Sequence, residues 1–203
     1  MGSGIKIKVT TLAIKNMVCD RCIRVVREEL VNIGVNVRHV ELGKAIVEGN
    51  LTLPMQNKLR TVLTQNGFEL LEDKRAKIVE EIKNQIVIYV QKNDVENKNI
   101  KLSVLLSRTI GRDYSYLSGL FSSVEGITIE RFLILQKIEK VKEWLAYDDR
   151  TLSEISYKLG YSSVPHLSKQ FKQITGLTPT EFKQQNDHRR IPLDKIKIIH
   201  RIT

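Results

Sequence analysis

No stretch of this chain holds the ~20 consecutive apolar residues that a membrane helix needs, so no transmembrane span is expected. No export signal is visible either, and Met1-Gly-Ser-Gly reads as an expression scar set aside from fold reasoning. Cysteine is scarce: Cys19 and Cys22 are the only two among 203 residues. Spaced C-x-x-C without an export signal, they argue against a structural disulfide and for a metal or redox loop. A nucleotide loop, a catalytic triad and a metal-hydrolase motif are all missing, which removes the common enzyme classes. The expectation is a cytoplasmic, non-enzymatic protein of one or two domains. Hydrophobic content of 41% and charged content of 28% are ordinary for a globular chain.

What is present in excess is positive charge. The formal net charge is +10, and it is uneven. Residues 1–72 carry +3, residues 73–96 balance, and residues 97–203 carry +7. A basic C-terminal half suits a phosphate-binding surface. Within it, residues 151–183 are the most legible stretch. Thr151 with Glu154 three positions on is a capping-box signature, and Leu152, Ile155 and Leu159 recur at helical spacing. Gly160 ends that helix, since a residue without Cβ enters the left-handed region cheaply. A second helix begins at Ser162–Ser163. Leu167, Phe171 and Ile174 face inward, and Val164, Ser168, Lys169 and Lys172 face outward. A short helix, a glycine turn and a polar, basic second helix describe a helix-turn-helix that inserts into a major groove.

The N-terminal part reads as a small α+β unit. Ile5, Ile7 and Val9 alternate with Lys6, Lys8 and Thr10, a half-buried strand. A loop from Lys15 to Cys22 leads into a helix with Cys22, Val25, Val26, Leu30 and Ile33 inward. Strands at Val35–Leu42 and from Ala45, a helix at Pro54–Gln65 and a strand at Phe68–Leu71 complete a ferredoxin-like βαββαβ order.

M-x-C-x-x-C in the loop between first strand and first helix, within residues 5–72, resembles a heavy-metal-associated domain, the fold of copper chaperones. The resemblance implies that Cys19 and Cys22 hold a soft metal ion, Cu(I) favoured over Ag(I) or Hg(II), because thiolate sulfur suits soft ions. It also implies that Met17 packs inward beneath the loop and that Phe68 supports it. Asn16 stands where that family usually has Gly, and it tolerates positive φ. A redox C-x-x-C competes, but Trp before the motif and Pro within it are both missing. The four histidines show no spacing that suggests a third ligand.

Residues 73–97 read as a connector, with Ile78, Ile82, Ile86 and Tyr89 on one stripe of a helix that serves as rigid connector or dimerisation helix. The boundary is placed at Asp94–Lys98. Beyond it, Leu102–Ile110 and Tyr114–Val124 are helices about a turn capped by Asp113, and Ile129–Tyr147 is a long helix. Residues 113–132 echo 162–182, with Leu, Ser, Phe and Gly recurring at one spacing. Two helix-turn-helix units joined by one long helix, over 98–186, resemble the DNA-binding domain of AraC/XylS transcription regulators. The resemblance implies double-stranded DNA as partner, read by two helices in successive major grooves. The base-facing positions fall on Ser115, Ser118 and Gly119 in the first unit. In the second they fall on Val164, Pro165, Ser168 and Lys169, with His166 beside them and Lys172 on phosphate. Gly119 stands where the family commonly has Arg, which removes a guanine reader. Residues 187–203 form a basic tail, expected to be disordered.

Together these readings describe a DNA-binding transcription regulator responsive to a soft metal. The alternative keeps DNA binding and makes the N-terminal unit a metal-independent interaction or homodimerisation module. A cysteine alkyl acceptor ranks low, because such modules hold zinc with four thiolates.

Overall fold

The computed structural model describes residues 8–91, 100–147 and 150–184. Residues 5–7 of the strand expected over Ile5–Thr10, the boundary at Asp94–Lys98 and the basic tail at 187–203 lie outside the described residues. The chain divides into two compact units, Met1–Asn84 and Gln85–Thr203.

The first unit runs β1 (Val9–Lys15), α1 (Asp20–Asn32), β2 (Val37–Glu41), β3 (Lys44–Glu48), α2 (Leu53–Gln65) and β4 (Glu69–Leu71). The strands form one antiparallel sheet in the order β2-β3-β1-β4. Leu12 and Ile14 of β1, Val40 of β2, and Ala45 and Val47 of β3 turn to a single core, where Val26, Leu30, Leu59 and Leu63 of the two helices meet them. The inward parity of β1 differs from the expected one. Val9 is 44% exposed while Leu12 and Ile14 are buried, so within β1 the even positions face the helices. A one-residue change of parity exchanges the two faces of a strand, and here Leu12 and Ile14 set it.

Helix α3 (Lys74–Gln91) occupies part of the expected connector, and the division between units falls inside it. Ile82 and Ile86 are buried as the stripe predicts, but Ile78 and Tyr89 are only half-buried, and Val79, Val87 and Val90 are buried instead. Glu80, Lys83 and Asn84 are buried as well. A helix covered on more than one side is not a free-standing spacer. Its start belongs to the first unit, where Asn84 closes against Gly43. That glycine has φ +76, and a Cβ on it would collide with the Asn84 side-chain amide. Its end belongs to the second unit, where Val90 joins Ile138, Val141 and Leu145 in the core.

The second unit continues with α4 (Leu102–Ile110), α5 (Tyr114–Glu125), α6 (Ile129–Tyr147), α7 (Leu152–Lys158), α8 (Val164–Thr175) and α9 (Pro179–Gln184). Leu106, Leu117, Phe121 and Phe132 are buried around the first helix pair, with the rings of Phe121 and Phe132 5.6 Å apart. Around the second pair, Ile155, Leu159, Leu167 and Phe171 form the core with Phe182 of α9. Asp113 occupies the N-cap position of α5 but makes no side-chain capping bond, unlike the cap expected there.

Candidate nucleic-acid interface and cysteine loop

The second helix-turn-helix is built by its caps. Thr151 Oγ1 accepts from the Glu154 backbone N–H at 3.2 Å, and Glu154 Oε2 accepts from the Thr151 N–H at 2.8 Å. Both orphan donors at the start of α7 are thus satisfied reciprocally. The same bonds hold the Glu154 carboxyl below its ordinary range. Thr178 and Glu181 repeat the device on α9, where the Thr178 N–H bond lowers the Glu181 carboxyl likewise. At the turn Gly160 adopts φ +69, and the Tyr161 N–H reaches back to the Ser156 carbonyl at 2.9 Å. Helix α8 then starts from Ser163, whose hydroxyl accepts from the His166 N–H at 3.3 Å.

On α8, Leu167 and Phe171 are fully buried, which fixes the opposite face outward. Pro165, His166, Lys169 and Lys172 are exposed there, and Val164 and Ser168 are half-buried. His166 is tied back to the turn: its Nδ1 lies 3.0 Å from Ser162 Oγ, and its ring meets Tyr161 edge-on at 5.4 Å. Tyr161 was not among the expected site residues. Its hydroxyl donates to Gln170 Oε1 of α8 at 2.7 Å, and Lys137 Nζ of α6 lies 5.3 Å from its ring centre. Burial pushes the Tyr161 phenol well above its ordinary value and the Lys137 ammonium below its own. The turn residue Tyr161 is thus bonded to the middle of α8, nine positions on. The sequence marks only the Gly160 turn beside it, and the partner Gln170 carries no signal of its own.

In the first helix-turn-helix, Ser115 and Gly119 are exposed and Ser118 is half-buried on α5. Tyr116, unremarked in the sequence, is 49% exposed on the same helix. A Cβ at Gly119 would meet nothing within 4 Å, so this position faces open space. Tyr114 is anchored at the base of α5 by donating to Glu130 Oε1. Burial and that bond push its phenol up, while the bond lowers the carboxyl. Helix α6, 19 residues long and about 28 Å at 1.5 Å per residue, carries one helix pair at each end.

In the first unit, Cys19 is the N-cap residue of α1 and Cys22 lies in its first turn. Their sulfurs are 3.5 Å apart, and both side chains are half-buried. Burial pushes the Cys22 thiol above 9.0, against a bond with the Val18 backbone that favours the thiolate. Met17 is fully buried in the core and Phe68 nearly so, at 8% exposure. Among the described residues no group of three or more His, Cys, Asp or Glu could hold a metal ion. Two thiols 3.5 Å apart are a donor pair of the kind that a soft ion of low coordination number takes.

Residues 106–185 match the model of a helix-turn-helix domain. Over 154 residues the chain is 27% identical to an uncharacterised HTH-type transcriptional regulator of Staphylococcus aureus strain MSSA476, covering 74% of this chain and 19% of that protein. Over 80 residues it is 29% identical to the uncharacterised HTH-type regulator YtdP of Bacillus subtilis, covering 39% of this chain and 10% of that one. The chain thus spans about a fifth or less of the length of these relatives. It is also similar to the solved C-terminal domain of the two-component response regulator yesN from Fusobacterium nucleatum. That similarity has 26% identity and a TM-score of 0.44, covering 52% of this chain and 96% of that domain. No helix among the described residues is long and apolar enough to cross a membrane. In match and in geometry alike, residues 106–185 resemble a helix-turn-helix domain.

Proposed function

We propose that the protein is a DNA-binding transcription regulator of the AraC type. The observation that carries this is the pairing of two helix-turn-helices on α6, each presenting a second helix with an outward polar face, that of α8 capped by Ser163. On α8 that face offers Lys169 and Lys172 to phosphate, and Ser168 and His166 to base edges. Val164 and Pro165 supply apolar contact of the kind that reads a thymine methyl. On α5 the serines at 115 and 118 have short reach and Gly119 has none, so discrimination rests more on α8 and on DNA shape. Fluorescence anisotropy with a random-sequence 40-base-pair duplex tests the reading: salt-dependent binding supports it, and no binding at low salt contradicts it.

The first unit extends the proposal. Its βαββαβ order, its M-x-C-x-x-C loop and its buried Met17 and Phe68 favour a ferredoxin-like, heavy-metal-associated domain in which Cys19 and Cys22 hold a soft ion, Cu(I) first. Such an ion would take both sulfurs as thiolates, their protons leaving to solvent on binding. The protein's own part is to hold both sulfurs at the start of α1 over a packed methionine. Anaerobic Cu(I) titration against a chromophoric chelator should show one tight site per chain, abolished in Cys19→Ser. Equal binding by that variant would reject the assignment.

A further inference from the structure

The cysteine loop is fastened at its base by an acid that the metal reading does not use. Asn16 turns the chain out of β1 with φ +72, the one positive φ at a non-glycine among the described residues. Its side-chain amide donates to the Gly67 carbonyl at 2.9 Å, and Met17 next to it is fully buried. Its backbone N–H donates to Glu80 Oε1 of α3 at 3.0 Å. Glu80 is 6% exposed and Lys83, whose Nζ lies 3.5 Å from its other oxygen, is 8% exposed.

Withdrawing a carboxylate and an ammonium from water is costly, and replacing such a pair with apolar residues is often neutral or stabilising. Packing alone therefore gives no reason for Glu80. What it does supply is a charge-assisted acceptor for one particular amide, held in a left-handed conformation three residues before Cys19. That acceptor sits on a helix that continues to Gln91, and Val90 near its end is part of the second unit's core.

We propose that Glu80 is a positioning residue that couples the Cys19–Cys22 loop to α3. Ligand binding at the two thiols alters the loop start at Asn16, and the Asn16–Glu80 bond passes that change to α3. This rests on the reading that the loop binds a soft metal ion, so the test separates the two.

Amide hydrogen exchange is measured on the full chain with and without Cu(I), in the wild type, Glu80→Gln and Glu80→Ala. Cu(I) affinity is measured independently by chelator competition. The expected wild-type result is a change of threefold or more in exchange at Asn16 and across residues 79–90 when Cu(I) binds. Glu80→Ala should bind Cu(I) within about threefold of wild type yet lose the change in α3. Glu80→Gln, which keeps an acceptor oxygen, should retain part of it. Should Glu80→Ala fail to fold, the wild-type exchange decides alone: Cu(I) bound with Asn16 or α3 unchanged overturns the coupling. A Glu80→Ala response equal to wild type overturns it too. Failure of the wild type to bind Cu(I) in the competition assay overturns the metal reading beneath it.

Discussion

Replacing Gly119 is expected to strengthen both the fold and the grip on DNA, and the structure allows each effect to be sized. Glycine inside a helix is about 0.8–1.0 kcal/mol less favourable than alanine, because its unfolded chain has more freedom to lose. Gly119 has no positive φ to protect, and a Cβ there meets nothing within 4 Å, so no steric term opposes the gain. Gly119→Ala should therefore stabilise the second unit by about 0.5–1 kcal/mol, read as a higher midpoint in thermal or urea denaturation followed by circular dichroism. Gly119→Arg should keep most of that gain, since arginine is a good helix former. It also places a guanidinium on the outward face of α5. In anisotropy titrations across a salt series, the slope of log K on log salt should steepen by about 0.9, the worth of one added phosphate contact. A preference of about 1–3 kcal/mol for duplexes with guanine at one position should appear if the side chain reaches a base edge. A Gly119→Ala variant less stable than wild type would refute the open-space argument. An unchanged salt slope in Gly119→Arg would refute the placement of α5 against DNA.

Thr151→Ala removes the hydroxyl half of a capping box, leaving the Glu154 backbone N–H without its acceptor, and should cost about 1 kcal/mol in the urea midpoint of the second unit. The Glu154 and Glu181 carboxyls are held below their ordinary value of 4.5 in the folded state, so their contribution is present above that pH and lost as pH falls through the lowered values. Melting temperature should accordingly drop more steeply below pH 4.5 in wild type than in Glu154→Gln/Glu181→Gln. Phe171→Ala empties a fully buried site against Phe182, whose ring lies 5.5 Å away, and should cost about 3–5 kcal/mol in denaturant unfolding.

The C-terminal half was the more readable because its signals are local. Periodicity places α4 over Leu102–Ile110 and α6 over Ile129–Tyr147 where the structure has them, and the Thr151–Glu154 box forms the two bonds its residue types call for. The misses are tertiary. Parity in β1 depends on which face the helices cover, and the alternation around Val9 cannot say that; only Leu12 and Ile14, set against α1 and α2, decide it. The stripe on α3 reads as one face, whereas Glu80 and Asn84 are buried against partners far away in sequence, Asn16 and Gly43. In the candidate interface, exposure of Pro165, His166, Lys169 and Lys172 follows from the burial of Leu167 and Phe171 on the opposite face. The Tyr161–Gln170 bond joins two polar residues nine positions apart, and no pattern in the chain marks such a pair.

Recognition of DNA through the exposed basic face of α8 is tested most directly by the salt dependence of binding in the Lys169→Ala/Lys172→Ala variant. Both side chains are exposed and on α8, so their loss leaves the core untouched. With a 40-base-pair duplex, the slope of log K on log salt should become shallower by about 1.8, two phosphate contacts, while the circular dichroism melt stays that of wild type. A slope equal to that of wild type, in a variant that is folded, would contradict the assignment of α8 as the DNA-facing helix.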